Sequence, residues 1–465
     1  MKATFKNIGP IKEAELELGD LTIIAGQNNT GKTYLVYTLY GFLEAFHDDI
    51  SLMTRNYSDS EFFTKMEEIA KQIKEHGKAT MQFERFKTLA DLMLQYSSTL
   101  FSSVYIDQVF SCSNDEFEDA EFSIKKYIKQ EEMENEKHRV SHQDRESVLL
   151  SSLKDGIIHL EFDNVGNHQL TSRAMAMGLY TLFHKMIKSN FPVPFILSAE
   201  RFGVSLFYKE LDLNKNRLVE KLQNLSNEKE SSRYQSYIEK EAARYAKPIK
   251  DNINFTRDLA EIPKRKSNLP INNLRSVERI MDGYYKTKND EIRFISKRRG
   301  ENRFDIPLHL ASSSARGVSD LYFYLKHVAQ QGQMLIIDEP ESHLSPTNQV
   351  LMARLLAFCV NSGLKVLLTT HSDYLIKEFN NLIMLSNKFE GKDKFLARNK
   401  KDYTADDYLK PEAVKAYICE KGTLTPCEVD KTGIDMPVFD ASIDSINQIS
   451  NELGMLTADG DLQND

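Results

Sequence analysis

One stretch constrains this chain more than any other: Gly26-Gln27-Asn28-Asn29-Thr30-Gly31-Lys32-Thr33, a complete G-x-x-x-x-G-K-[ST] spacing. The run before it, Leu21-Thr22-Ile23-Ile24-Ala25, has the β-branched content of a buried strand. Behind it, Tyr34-Leu35-Val36-Tyr37-Thr38-Leu39-Tyr40 continues without a breaker, as a first helix should. Strand, glycine turn and helix N-terminus aim free backbone N–H groups and the helix dipole at one spot, which traps phosphate. In that setting Lys32 neutralises β- and γ-phosphates and the Thr33 hydroxyl completes a Mg²⁺ shell. The expected nucleotide contacts are Gly26, Asn28, Asn29, Thr30, Gly31, Lys32, Thr33 and Tyr34. A chance match in a glycine turn would lack both flanks, so binding of a nucleoside triphosphate, ATP, is expected.

A chain of 465 residues, 41% of them hydrophobic, has room for two or three lobes around a sizeable core. No stretch approaches the ~18 uninterrupted apolar residues of a membrane span, and no signal-peptide core is visible, so a cytoplasmic location is expected. The four cysteines lack metal-ligand spacing; Cys419 and Cys427 lie where a hairpin would bring them face to face, and we read them as a reduced pair. A net charge of −8 argues against a uniformly basic nucleic-acid binder while leaving room for a local basic patch.

Residues 1–25 read as a short β-meander around a Gly9-Pro10 turn, with Glu15-Leu16-Glu17-Leu18 alternating at period two. From Phe46 to about residue 100 the pattern is helical and polar-rich, with Phe62, Met66, Ile69 and Ile73 on one packing face. Strands are expected at Ser102–Ile106 and Glu121–Ile124, and a solvated loop or exposed helix over 129–147. Pro194–Leu197 reads as another buried strand, ending in Ser198-Ala199-Glu200-Arg201; α/β folds place ligand-handling groups at such strand ends. Residues 208–260 are charged and helical, and Leu218, Leu222 and Leu225 supply a single heptad, enough for a short hairpin and too little for a coiled coil. Two basic knots follow, Lys264-Arg265-Lys266 and Lys297-Arg298-Arg299 with Arg303, the second at a hairpin tip; each reads as a solvated turn or a phosphate contact.

Further chemistry lies between 310 and 376. Met334-Leu335-Ile336-Ile337 delivers Asp338 and Glu339 to the tip of a buried strand. Asp338 suits the Mg²⁺ shell, and Glu339 is placed to orient and deprotonate an attacking water. Lys365–Thr370 is another buried strand and delivers His371, read as a γ-phosphate sensor. Between the second basic knot and the acidic strand lies Ser312-Ser313-Ser314-Ala315-Arg316-Gly317, at a helix start, offering hydroxyls and free N–H groups together. We read it as a second phosphate-binding surface rather than as a cap alone.

In this order the four pieces resemble the ABC-type ATPases of the SMC, recombination-repair and OLD group. The resemblance makes Gly26–Thr33 a Walker A motif, Met334–Glu339 a Walker B, Ser312–Gly317 a signature region, Glu341–Pro346 a D-loop and Thr370–Asp373 a switch-histidine segment. It implies an α/β fold: an ABC-type P-loop ATPase head with an N-terminal β-meander, a mixed sheet and an inserted helical region. Lys32 and Asp338 stand 306 positions apart, the separation that such an insertion creates. Two departures stand out: Asn29 where glycine is common, and a serine-rich signature without paired glycines. Ser198–Arg201 takes the Q-loop place without a glutamine. The expected division is an N-terminal ATPase lobe at 1–50, a helical and β insertion at 51–190, the Q-loop-like strand at 191–207 and a helical hairpin at 208–290. A C-terminal ATPase lobe at 291–390 and a hairpin–helix extension at 391–465 complete it.

Within the group the chain looks most like the stand-alone ATPases of bacterial anti-phage defence operons, including the ATPase component of the PARIS system. OLD nucleases continue into a Toprim domain, whereas residues 390–465 read here as a hairpin (Val414–Ile418 with Leu424–Val429), a short helix (Ile443–Leu453) and an acidic tail. The resemblance therefore implies an ATP-driven sensor or scaffold, a head-to-tail dimer or higher homo-oligomer, controlling a separately encoded effector such as a Toprim or HNH nuclease. Its trigger would be DNA or a phage protein. The competing readings are a DNA-repair clamp that grips DNA directly and a transporter subunit that would need a membrane partner.

Overall fold

The computed structural model describes residues 1–48, 61–112, 116–130, 137–142, 145–164, 171–207, 245–259, 261–262, 266–269, 275–288, 291–297, 303–400, 402–437 and 446–455. The helical hairpin expected around Leu218, Leu222 and Leu225 lies outside them, as do Lys264, Arg265, Arg298 and Arg299 of the two basic knots.

Two strands, β1 (Lys2–Ile8) and β2 (Ile11–Glu17), form an antiparallel hairpin and take β5 (Glu121–Lys125) on the far side of β1. The third, β3 (Leu21–Ala25), leaves that sheet for the middle of a six-stranded one. Its order is β16-β15-β3-β14-β13-β9, with β9 at Pro194–Leu197, β13 at Met334–Asp338, β14 at Lys365–Thr370, β15 at Val414–Glu420 and β16 at Thr423–Pro426. The five strands from β15 to β9 run parallel and only β16 is antiparallel, so the sheet is mixed. Parallel strands covered on both faces read as continuous apolar runs, which is why Leu21–Ala25 and Met334–Ile337 stand out in the sequence.

Alternation divides those runs between two cores. Ile24, Ile336 and Leu367 join the layer that holds α1 (Lys32–Asp48) and the N-terminal hairpin. In the opposite layer Ile23, Ile337, Val366 and Leu368 pack under two later helices, Pro346–Asn361 and Asp373–Ser386. Truncating any one of these buried side chains to alanine costs about 2–5 kcal/mol.

Between α1 and β9 lies a lobe built on an antiparallel sheet, β4-β8-β7-β6: β4 Lys78–Gln82, β6 Lys137–His142, β7 Arg145–Lys154 and β8 Ile157–Asn164. In the helix Glu61–His76 the stripe Phe62, Met66, Ile69 and Ile73 is buried as its spacing predicts. Two expectations fail here. Ser102–Ile106 is helical, because the helix Phe83–Leu100 runs on through a π turn at Phe101–Tyr105 and buries Phe101, Tyr105, Ile106 and Val109 at helical intervals. Within the charged run 129–147, residues 137–142 form β6 and 145–147 start β7 where a loop or exposed helix is expected, because pairing of β6 with β7 and of β7 with β8 sets their conformation; 131–136 and 143–144 lie outside the described residues.

Ahead of the serine-rich segment a small antiparallel sheet carries β10 (Gly283–Lys288), β11 (Glu291–Ser296) and β12 (Asp305–Pro307). The expected hairpin between Ile292–Ile295 and Phe304–Ile306 is its β11–β12 pair.

The C-terminal hairpin is built into the head. Val414–Ile418 of β15 pair with the whole of β3, and Gly422 at the turn accepts hydrogen bonds from the N–H groups of Lys12 and Glu13. These two strands extend the six-stranded sheet beyond β3. The short helix follows at 446–455, with Ile446 and Ile449 exposed. All four cysteines are free thiols, and no helix among the described residues is long and apolar enough to cross a membrane.

Candidate nucleotide site

Three parallel strands, β3, β14 and β13, lie side by side and end on the same edge, so their carboxyl ends bring Gly26, His371 and Asp338 together. After β3 the loop turns with Gly26 at φ 155°, Asn29 at φ 63° and Gly31 at φ 103°. A Cβ on Gly31 would stand 2.6 Å from Ile11 Cδ1, and one on Gly26 would strike the carbonyl of Cys419. Both glycines are therefore required by space as well as by backbone. Asparagine tolerates the left-handed conformation that position 29 adopts, so the departure there leaves the loop's shape intact. Thr30 Oγ1 donates to the Gln27 carbonyl at 2.9 Å and braces the turn. Asn28 and Asn29 are exposed, and the ring of Tyr34 stacks on Phe110 beneath the β1–β2 turn. This preformed cradle fits a polyphosphate.

Lys32 opens α1 and is buried, with Nζ donating to the carbonyls of Gly26 at 2.8 Å and Gln27 at 2.7 Å. Beside it the Thr33 hydroxyl donates to Asp338 Oδ2 at 2.9 Å, and Thr369 donates to Asp338 Oδ1. Burial pushes the Asp338 carboxyl up to about 6, against the hydrogen bonds from Thr369 and Thr33. Two hard oxygen donors this close, one a buried carboxylate in need of a countercharge, fit a Mg²⁺ ion.

Glu339 follows with φ 51°, a left-handed conformation uncommon outside glycine. Its N–H donates to Thr369 Oγ1 at 3.0 Å, and its Oε2 accepts from Ser342 at 3.1 Å. His371 is half-exposed; its N–H donates to Glu341 Oε1 at 2.7 Å, and Nδ1 lies 3.3 Å from the same oxygen and 3.7 Å from Glu339 Oε1. Glu341 is itself buried, also accepts from Thr370 Oγ1 at 2.7 Å, and leaves Oε2 without a partner among the described residues. Sequence reasoning gives Glu341 no role of its own. Its one signal is a second acid two positions after the acidic strand end. Glu200, in the Q-loop place, accepts from Tyr37 Oη at 3.1 Å and adds to the negative field around Asp338.

The serine-rich segment forms a short helix, Ser313–Gly317. Ser312 is its cap, accepting the Ala315 N–H at 3.2 Å. Ser314 donates to the His343 carbonyl at 3.0 Å, whereas the Ser313 hydroxyl makes no hydrogen bond among the described residues. Arg316 donates to the carbonyls of His309 and Ala311 and lies 4.6 Å over the Phe202 ring. Gly317 gives its carbonyl to Arg201 at 3.2 Å.

The model of the AAA ATPase domain family matches residues 1–376, a span that runs from β1 past His371. The chain belongs to that family. It is an ATPase, and this AAA ATPase domain carries the phosphate loop and the acidic strand end at opposite ends of the matched span. No curated protein sequence matches it. Among solved structures it is similar to an SMC head domain with an extended coiled coil from Pyrococcus furiosus, bound to the C-terminal domain of ScpA, at 12% identity and a TM-score of 0.30, covering 97% of this chain and 98% of that one. It is also similar to an SMC head domain from Thermotoga maritima, at 11% identity and a TM-score of 0.30, covering 92% and 98%.

Proposed function

We propose that this AAA ATPase domain binds ATP with Mg²⁺ on the phosphate loop and hydrolyses it with Glu339 as general base. The observation that carries this reading is the pair of hydrogen bonds that Asp338 accepts from Thr33 and Thr369, which puts phosphate loop, acidic strand and switch strand in one cluster. Lys32 meets the β- and γ-phosphates. Thr33 and Asp338 would hold the cation, which would supply neutralisation of phosphate charge. Glu339 takes the proton of the attacking water, and His371, steadied by Glu341, faces the terminal phosphate. In this reading Ser312, Ser313, Ser314, Arg316 and Gly317 form the surface that a second copy presents to the phosphates, and Ser313 is the serine with a hydroxyl to spare.

The purpose of hydrolysis follows from the resemblance to defence ATPases: nucleotide state sets how two heads sit together and thereby restrains or releases a separately encoded effector, which we take to be a nuclease. DNA or a phage protein would be the trigger. The test of the chemical core is ATP turnover by Glu339→Gln. Unchanged ATP affinity with turnover lowered ~10²–10⁴-fold is the expected result; turnover within about threefold of the parent protein would remove Glu339 from the role.

A further inference from the structure

Arg201 stands just past the end of β9, one residue after Glu200, with its guanidinium buried. Four hydrogen bonds run from it to main-chain carbonyls. Nη1 donates to Ser198 at 2.9 Å and to Asp338 at 2.8 Å, Nη2 to Glu339 at 2.7 Å, and Nε to Gly317 at 3.2 Å. A guanidinium is a rigid planar fork, so acceptors that share it are fixed relative to one another. Burial disfavours its charge, and the carboxylates of Asp338, Glu341, Asp320 and Glu339 offset part of that cost.

What this fork grips is a residue in a strained backbone conformation. Glu339 occupies a left-handed conformation that a side chain with a Cβ rarely adopts, and such conformations persist only where neighbours over-determine them. Its N–H is held by Thr369, and its carbonyl by Arg201 at 2.7 Å and by the Ser342 N–H at 3.1 Å. We propose that Arg201 is a positioning residue for hydrolysis: it pins the Glu339 backbone so that the carboxylate is aimed into the site, without touching nucleotide itself. This rests on the reading of Glu339 as general base.

A double-mutant cycle separates aiming from simple support. The proteins are the parent chain, Arg201→Lys, Glu339→Ala and the double variant, each measured for ATP-analogue affinity and for kcat. Lysine keeps the charge and loses the fork. The expected result for Arg201→Lys is a ~10–100-fold lower kcat with affinity within about threefold, since small misplacements cost that much. In the Glu339→Ala background, where no carboxylate remains to be aimed, adding Arg201→Lys should change the residual rate less than about threefold. Multiplying effects, or affinity falling in step with kcat, would overturn the proposal. Should Arg201→Lys not yield folded protein, Arg201→Gln is the second variant, held to the same criteria; failure to fold there too makes Arg201 a folding residue and ends the positioning claim. If Glu339→Ala alone kept its turnover, the general-base reading would fall first and the Arg201 proposal with it.

Discussion

The Thr33 hydroxyl and the Asp338 carboxylate meet at 2.9 Å across 305 positions of sequence. That contact closes the site. One side chain comes from the first turn of the phosphate-loop helix, the other from the tip of a strand separated from β3 by β14 alone. A site assembled this way is set by strand register as much as by its own residues.

Lys32 should be indispensable for binding. Its Nζ is buried and held by two loop carbonyls that aim it across the turn. Lys32→Ala removes the charge that meets the phosphates, and hydrogen bonds to charged groups are worth ~1.5–3 kcal/mol each. Calorimetry should show ATP affinity falling at least about 100-fold; an unaltered affinity would refute the phosphate-loop assignment.

Ser313 should act on the site of a second copy. Lys32→Ala and Ser313→Arg proteins are each expected to be inactive, whereas a mixture should regain part of the ATPase activity, because both lesions can fall in one half-site and leave the other whole. Heterodimers shown to form without any regained activity would leave the serine surface without that role.

Asp338 should give the enzyme an acid limb. Its folded value of about 6 lies above the 3.8 of a free aspartate, so the carboxyl holds its proton to higher pH than usual. Below about 6 it is neutral and a poor ligand for a dication, so the Mg²⁺ concentration needed for half-maximal turnover should rise as pH falls from about 7 to about 5. The linkage to stability has the opposite sense: this group favours the folded state below pH 3.8 and loses that contribution as pH rises through about 6. A Mg²⁺ requirement flat over that range would count against Asp338 as a ligand.

His184 should make the fold sensitive to acid. It is fully buried between Phe46, at 4.8 Å, and Tyr180, and among the described residues neither ring nitrogen meets a partner with hydrogen-bond geometry. Burial lowers it from 6.5 to about 4. The unfolded chain therefore takes up a proton below pH 6.5 that the folded chain refuses until about 4, and stability drops between those values by up to ~3 kcal/mol. His184→Phe fits the same aromatic stack and removes the proton. Its denaturant midpoint, compared with that of the parent protein, should gain steadily from pH 6.5 to about 4; a constant difference would show that His184 is not the titrating group.

The parts of the site that can be read from sequence are those whose signal is local. Gly26–Thr33 carries strand, turn and helix in one short stretch, and Ile336-Ile337-Asp338-Glu339 announces a buried strand with an acidic tip. Arg201 and Glu341 are visible there only as charges near strand ends, because what defines them is contact across the fold: Arg201 reaches a carbonyl 137 positions away, and Glu341 a threonine 29 away. Ser102–Ile106 misleads for a physical reason. β-Branched and aromatic residues favour strands weakly, and the burial of Phe101, Tyr105 and Val109 on one helical face outweighs that preference. β15 reads correctly as a strand, but nothing near it reveals that its partner begins at Leu21.

That pairing has a consequence for how the protein is made. β3 ends at Ala25, yet both of its neighbours come late: β14 at Lys365–Thr370 and β15 at Val414–Glu420. The thiol of Cys419 donates to the Thr30 carbonyl at 3.2 Å, so the loop itself receives a wall 389 positions after it is translated. At ~5–20 residues per second, roughly 17–70 s pass on the ribosome before β14 is made, with an apolar strand lacking a partner on either edge. Bare edges of that kind recruit other strands. The nascent chain is thus most open to wrong strand pairing well before it has any use for ATP.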